Sequence, residues 1–155
     1  MLEIRRAVTE DIQQINEIYR ELSFNELAPE QEDLSSIIVK EGNKVLGISN
    51  YKRLSVEAAE ISFLYITPNA RGNSLGDGLL RGTLNYLMEK GYSHIFLRSN
   101  KKLEDFYTHE GLLPLTSHLL SEELQLQLKN LSLNTSDYFY CYPKDFFQKK
   151  CKGSR

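Results

Sequence analysis

Apolar and polar positions recur along this chain with two periods, and the switches between them mark its elements. Leu2 and Ile4 alternate with Glu3 and Arg5, which predicts a short strand. Ile12, Ile15, Ile18, Tyr19 and Leu22 then share one helical face, with Thr9 placed to cap the helix and Glu10 and Asp11 favourable in its first turn. An acidic segment broken by Pro29 reads as a loop or a short helix. Apolar runs at 37–39 and 45–48 predict two strands joined through E-G-N-K, with Gly42-Asn43 at a tight hairpin turn. The second strand is expected to continue through Tyr51, and a turn near Ser55 leads into a third run, residues 60–67. Leu79, Leu80, Leu84, Leu87 and Met88 predict an amphipathic helix closed by Gly91. Residues 94–97 read as a buried strand, and Asn100 opens a short helix carrying Leu103, Phe106 and Tyr107 up to Gly111. Residues 138–142, Y-F-Y-C-Y, form a last aromatic strand. Residues 116–136 fit two patterns: Leu120, Leu124, Leu128 and Leu131 favour a helix followed by a loop, over the strand-like alternation of Leu124, Leu126 and Leu128.

The order is strand, helix, three strands, helix, strand, helix, strand. It predicts one mixed α/β (α+β) domain over residues 1–155, without repeat or linker. The composition, 41% hydrophobic and 26% charged, is that of a soluble globular protein. A formal charge of −2 argues against a dedicated nucleic-acid binder. No apolar stretch approaches the roughly 20 residues that span a bilayer, and the N-terminus lacks the apolar centre of a signal peptide. Cys141 and Cys151 suggest neither a disulfide scaffold nor a metal site, and His94, His109 and His118 have no metal or triad spacing, so they read as structural or surface histidines. The expectation is a cytoplasmic protein with reduced thiols, no metal, and no nucleic-acid or membrane partner. The tail, Q-K-K-C-K-G-S-R, reads as a frayed basic end.

Between the fourth strand and the second helix stands R-G-N-S-L-G-D-G-L-L, residues 71–80. A backbone this bare at a helix start suits either an anion site or a plain tight turn. It is not a nucleoside-triphosphate loop, because Gly76 is followed by Asp77 and Gly78 where that loop needs Lys-Ser/Thr. A G-x-G-x-x-G dinucleotide fingerprint beginning at Gly76 meets Arg81 in place of its last glycine. The segment resembles the acyl-CoA signature Q/R-x-x-G-x-G/A of the GNAT superfamily of N-acetyltransferases. Arg71 stands first and Gly76 last, with Ser74 in place of the middle glycine. The preceding E-I-S-F-L-Y-I, ending in Ile66-Thr67-Pro68, is similar to that family's fourth strand. Downstream, Asn100 and Tyr107 match N-x-x-A-x-x-x-Y-x-x-x-G-F/Y, with Leu103 and Leu112 as departures. The resemblance is clearest over residues 2–112, and residues 113–155 diverge.

The resemblance implies a GNAT-like sheet flanked by helices and an acetyl-CoA-dependent N-acetyltransferase. Arg71, Gly72, Asn73, Ser74, Leu75, Gly76, Asp77 and Gly78 would then form the pyrophosphate cradle, with backbone N–H groups and the helix dipole facing the anion. Two residues sit awkwardly there: Ser74 resists a positive φ, and Asp77 is expected to point to solvent, away from the phosphates. Leu64 and Ile66 hold the positions whose main chain pairs with the pantetheine arm, and the Ile66 N–H is the candidate to polarise the thioester carbonyl. A lysine-like amine with a pKa near 10.4 arrives protonated, so a base is required, and Glu60 holds that place, acting through water; the alternative is a solvated strand end. Tyr107 matches the family's proton donor to the departing thiolate, or else packs beside Phe106. Asn100 contacts the cofactor or simply caps its helix.

The acceptor would be a small-molecule or peptide amine. Glu21, Glu26, Glu30, Glu32 and Asp33 form either an acidic rim for a cation or an ordinary solvated loop. Family habit adds a possible homodimer. Two rival readings keep the fold without catalysis: a CoA-binding sensor, and a protein-interaction domain presenting residues 138–142 as an interface strand.

Overall fold

A computed structural model describes residues 1–117 and 120–153. Among these residues lie seven strands and five α-helices: β1 (Leu2–Arg6), α1 (Ile12–Glu21), β2 (Ser36–Glu41), β3 (Lys44–Arg53), β4 (Ala58–Ile66), α2 (Leu75–Glu89), β5 (His94–Arg98), α3 (Lys101–His109), β6 (Leu113–Pro114), α4 (Glu122–Asn130), β7 (Tyr138–Cys141) and α5 (Pro143–Gly153). The strands form one sheet in the order β1-β2-β3-β4-β5-β7-β6. β4 and β5 run parallel, whereas β1–β2, β2–β3, β5–β7 and β6–β7 are antiparallel. The hydrophobic pattern predicts the mixed α/β class, and the family resemblance the mostly antiparallel sheet flanked by helices; both are found. No helix among the described residues is long and apolar enough to cross a membrane.

The chain divides into two compact units. The first comprises Met1–Tyr51 and Leu64–Thr83. Its buried residues include Ile12, Ile15 and Ile18 of α1, Ile37, Ile38 and Val39 of β2, and Val45 and Ile48 of β3. A Cβ on Gly47 would lie 2.9 Å from both the Tyr65 carbonyl oxygen and Val39 Cγ1, so β3 admits only glycine where the end of β4 passes. The second unit comprises Lys52–Phe63 and the described residues from Leu84 onward. One of its clusters gathers Ala58, Phe96, Tyr138 and Tyr140 with Leu115, Leu124 and Leu128.

Several local expectations change. Thr9 does not cap α1: residues 9–11 make a 3₁₀ turn, the Val8 N–H donates to Asp11 Oδ2 (2.8 Å), and the Thr9 hydroxyl donates to the Gln31 carbonyl. Asp11 wins because a carboxylate is the stronger acceptor and Arg5 fixes it in place. Residues 116–136 do contain a helix, α4, whose Leu124 N–H donates to the Ser121 hydroxyl. His118 lies outside the described residues. The basic tail is not frayed through its first part: α5 runs to Gly153, started by Pro143 with Asp145 in its first turn. The reading of residues 138–142 as an interface strand does not fit this arrangement: β7 pairs with β5 along Tyr138–Cys141 and with β6 at Phe139 and Tyr140, and Tyr138–Cys141 are buried.

Candidate active site

The signature turn belongs to the first unit. At the end of β4, the Thr67 N–H donates to the Leu46 carbonyl (2.8 Å). Alternation along a strand then turns the N–H and C=O of Ile66, and of Leu64 before it, to the opposite edge. On that edge Arg71 Nε donates to the Ile66 carbonyl (2.9 Å), and its guanidinium lies over the Tyr65 ring, 5.3 Å from the centroid. Arg71 therefore ties the turn to the strand. Gly72 has φ +88, and a Cβ there would meet nothing within 4 Å, so backbone conformation alone calls for glycine.

Three cradle expectations need correction. Ser74 does adopt positive φ, at +60, in the place of the family's glycine, a conformation costing a side-chain-bearing residue about 1–2 kcal/mol. Gly78 leaves the cradle: α2 opens at Leu75, and the Gly78 N–H donates to the Ser74 carbonyl (3.2 Å), the first bond of that helix. The first-turn N–H groups of Leu75, Gly76 and Asp77 have no intrahelical acceptor. Asp77 does not simply face solvent, because its Oδ1 is buried without a hydrogen-bond partner among the described residues. What remains for an anion is the segment from Gly72 to Asp77, of which Gly72, Asn73 and Ser74 are exposed. Bare, outward backbone before a 15-residue helix fits a pyrophosphate.

The second unit holds Glu60, the third residue of β4 rather than a solvated strand end, with 1% of its surface exposed. The Tyr138 hydroxyl donates to Oε1 and the Ser62 hydroxyl to Oε2, both at 2.7 Å. Arg98 Nη2 donates to the Tyr138 oxygen (2.7 Å), while Lys52 Nζ and Arg98 Nε stand 3.8 and 3.9 Å from Oε2. A carboxylate is tolerated at this depth because it is both hydrogen-bonded and paired. Burial, together with the bond to Glu60, pushes the Tyr138 phenol up to about 12.

Tyr107 is fully buried on α3, its ring 5.6 Å from those of Phe106 and Phe139. Phe139 follows Tyr138 on β7 and so faces the other side of the sheet; Glu60 and Tyr107 therefore lie on opposite faces. The Tyr107 hydroxyl has no hydrogen-bond partner among the described residues, and burial drives its phenol upward. Asn100 caps α3, its Oδ1 accepting from the Leu103 N–H (2.9 Å). His94 Nδ1 is hydrogen-bonded to the Tyr140 hydroxyl, and burial lowers its pKa against the opposing pull of Glu57. His109 is exposed at the end of α3.

Sequence reasoning missed Ser62, Arg98, Lys52 and Tyr138. The Glu60–Ser62 spacing on a strand was a usable signal, since residues two apart share a side. Tyr138, 78 residues from Glu60, gave none without the strand register.

The family model described as "Acetyltransferase (GNAT) family" matches residues 3–111. No curated protein matches the chain. Among solved structures, the chain is similar to N-acetylglutamate synthase from Neisseria gonorrhoeae, complexed with coenzyme A and L-arginine, at 20% identity and TM-score 0.65. That likeness covers 91% of this chain and 33% of the synthase, so the chain spans about a third of that protein's length. It is similar to Rv2747 from Mycobacterium tuberculosis, in complex with CoA, at 14% identity and TM-score 0.67 over 90% of this chain and 98% of that one. Diaminobutyrate acetyltransferase EctA from Paenibacillus lautus, in complex with L-2,4-diaminobutyric acid and coenzyme A, matches at 11% identity and TM-score 0.58 over 90% and 92%. At these identities the likeness is one of fold.

Proposed function

The chain belongs to the GNAT family of acetyltransferases, which take the acetyl group from acetyl-CoA, and from that premise we propose that it acetylates a primary amine by direct transfer in a ternary complex. The observation that carries this reading is the turn at 71–77, where Arg71 is tied to Ile66 and positive φ at Gly72 and Ser74 presents bare backbone ahead of α2. Gly72 to Asp77 would hold the pyrophosphate, and the outward edge of Leu64 and Ile66 the pantetheine arm. Acetyl-CoA supplies the thioester.

Glu60 is the proposed proton acceptor for the incoming ammonium. Tyr107 is the proposed donor to the departing thiolate. Its raised pKa widens the gap to a free thiol near 8.5, but burial raises a thiol as well, so the donor and the thiolate move together. The acidic segment after α1 supports a cationic acceptor. Within it Glu26 is already paired with Arg20 (3.0 Å), and the Asp33 carboxylate accepts from Ser35, which leaves Glu30 and Glu32, with Glu21 at the end of α1, as the candidate attraction. EctA, crystallised with its substrate L-2,4-diaminobutyric acid, makes a small amino acid a reasonable first acceptor.

Calorimetric titration of acetyl-CoA into the native protein and Gly76→Glu tests the cradle. Micromolar binding that vanishes in the variant is expected. An absence of binding by the native protein would return residues 71–78 to a plain turn.

A further inference from the structure

Glu60 has no opening of its own. Both oxygens are engaged by hydroxyl groups, and its side chain is 1% exposed. Of the four groups that the described residues place around it, Lys52 and Arg98 bring donors only, so neither can receive a proton from an ammonium. Tyr138 is 2% exposed, and its oxygen is already the acceptor for Arg98 Nη2. Ser62 differs from all three. It is half-buried rather than closed off, its hydroxyl proton already lies on Glu60 Oε2, and its oxygen keeps a lone pair to accept another proton. It follows Glu60 by two residues on β4 and precedes Leu64 by two.

We propose that Ser62 is the proton relay of the acetyl transfer, standing where a water would otherwise be needed. As one N–H bond of the acceptor ammonium breaks, an O–H bond forms at Ser62 Oγ. The original Ser62 O–H breaks in the same event, and its proton bonds to Glu60 Oε2. The amine is left neutral with a lone pair for the thioester carbon, Glu60 becomes a carboxylic acid, and Ser62 is unchanged. Tyr138, Arg98 and Lys52 act as positioning residues that hold the carboxylate with Oε2 toward Ser62. The proposal rests on Glu60 as the base.

The test is acetyl-CoA-dependent thiol release with L-lysine, spermidine and L-2,4-diaminobutyric acid as acceptor probes, from pH 7 to near the amine pKa of about 10.4. Glu60→Gln and Ser62→Ala should each lose roughly 100-fold in kcat/KM at pH 7, with the loss shrinking as the pH rises and the amine deprotonates unaided. The double variant should be no worse than Glu60→Gln alone, because the two act as one device. Ser62→Thr, which keeps the hydroxyl, should recover most of the rate. A Ser62→Ala rate equal to the native one beside a crippled Glu60→Gln overturns the relay and leaves Glu60 as base. A Ser62→Ala loss that is uniform in pH, adds to that of Glu60→Gln or is not recovered by threonine also overturns the relay. A fully active Glu60→Gln, or a native protein inert toward every probe, overturns relay and base together.

Discussion

Ser74 sets stability against binding at a single residue. Its φ of +60 belongs to the region that glycine enters freely and a side-chain-bearing residue enters at about 1–2 kcal/mol. Ser74→Gly removes that strain but also frees the unfolded chain, which returns roughly 0.4–1 kcal/mol to the other side. A net gain of about 0.5 kcal/mol is expected, read as a melting temperature raised by roughly 1–2 °C. If the Ser74 hydroxyl donates to a phosphate, the same variant should bind acetyl-CoA more weakly while melting higher. Calorimetry and thermal melts on one preparation separate the two effects. Weaker binding with an unchanged melting temperature would mean that the strain is no larger than what the freed unfolded chain gives back. The sequence announced an awkward serine here, but not how the backbone would resolve it, because strain at one residue is decided by the turn that surrounds it.

At the scale of elements, the junction of β1 and α1 is held by a buried carboxylate. Asp11 accepts from Arg5 at 2.8 and 3.1 Å and from the Val8 N–H at 2.8 Å, with Lys40 Nζ at 3.4 Å. Burial opposes its ionisation. The Arg5 hydrogen bonds, the Val8 N–H and the charges of Arg5 and Lys40 outweigh that cost and hold its pKa below the ordinary carboxylate value. A depressed folded pKa means stability that is fully present above about pH 4 and lost as the pH falls through the lower folded value. Asp11→Asn should cost about 2 kcal/mol at pH 7, less than a fully buried pair because Arg5 is 30% exposed. Urea unfolding at pH 7 and pH 2.5 checks the sign: the gap between native and variant should shrink in acid. An equal gap at both would assign the effect to packing. Legibility at this scale followed length and period. α1, α2 and the β2–β3 hairpin were plain because apolar spacing and turn residues agree over ten or more positions. β6 is two residues long and carries no period at all, and α5 lacked a readable stripe among its lysines.

At the scale of the whole chain, the family match ends at residue 111, and the sequence beyond it completes the surroundings of Glu60. Tyr138 comes from that divergent part, whereas Ser62, Lys52 and Arg98 come from the matched part. The candidate cradle is contained in a few contiguous residues, which is why a motif could find it; the Glu60 cluster is assembled from β3, β4, β5 and β7, which no linear spacing reveals. That difference makes the cradle separable by ligand fragments. Acetyl-CoA at about 100 times its Kd should add about 2.7 kcal/mol to folding, a melting shift of roughly 5–10 °C for a chain of this length. ADP carries the pyrophosphate without the pantetheine arm, so it should produce part of the shift, and added salt should weaken it. S-acetyl-N-acetylcysteamine carries the thioester without the phosphates and should produce little at the same concentration. Gly76→Glu should abolish the ADP response, because a carboxylate then stands where the anion is to lie. A shift from the short thioester but none from ADP would place the binding energy on the arm and leave the glycine-rich turn without its anion.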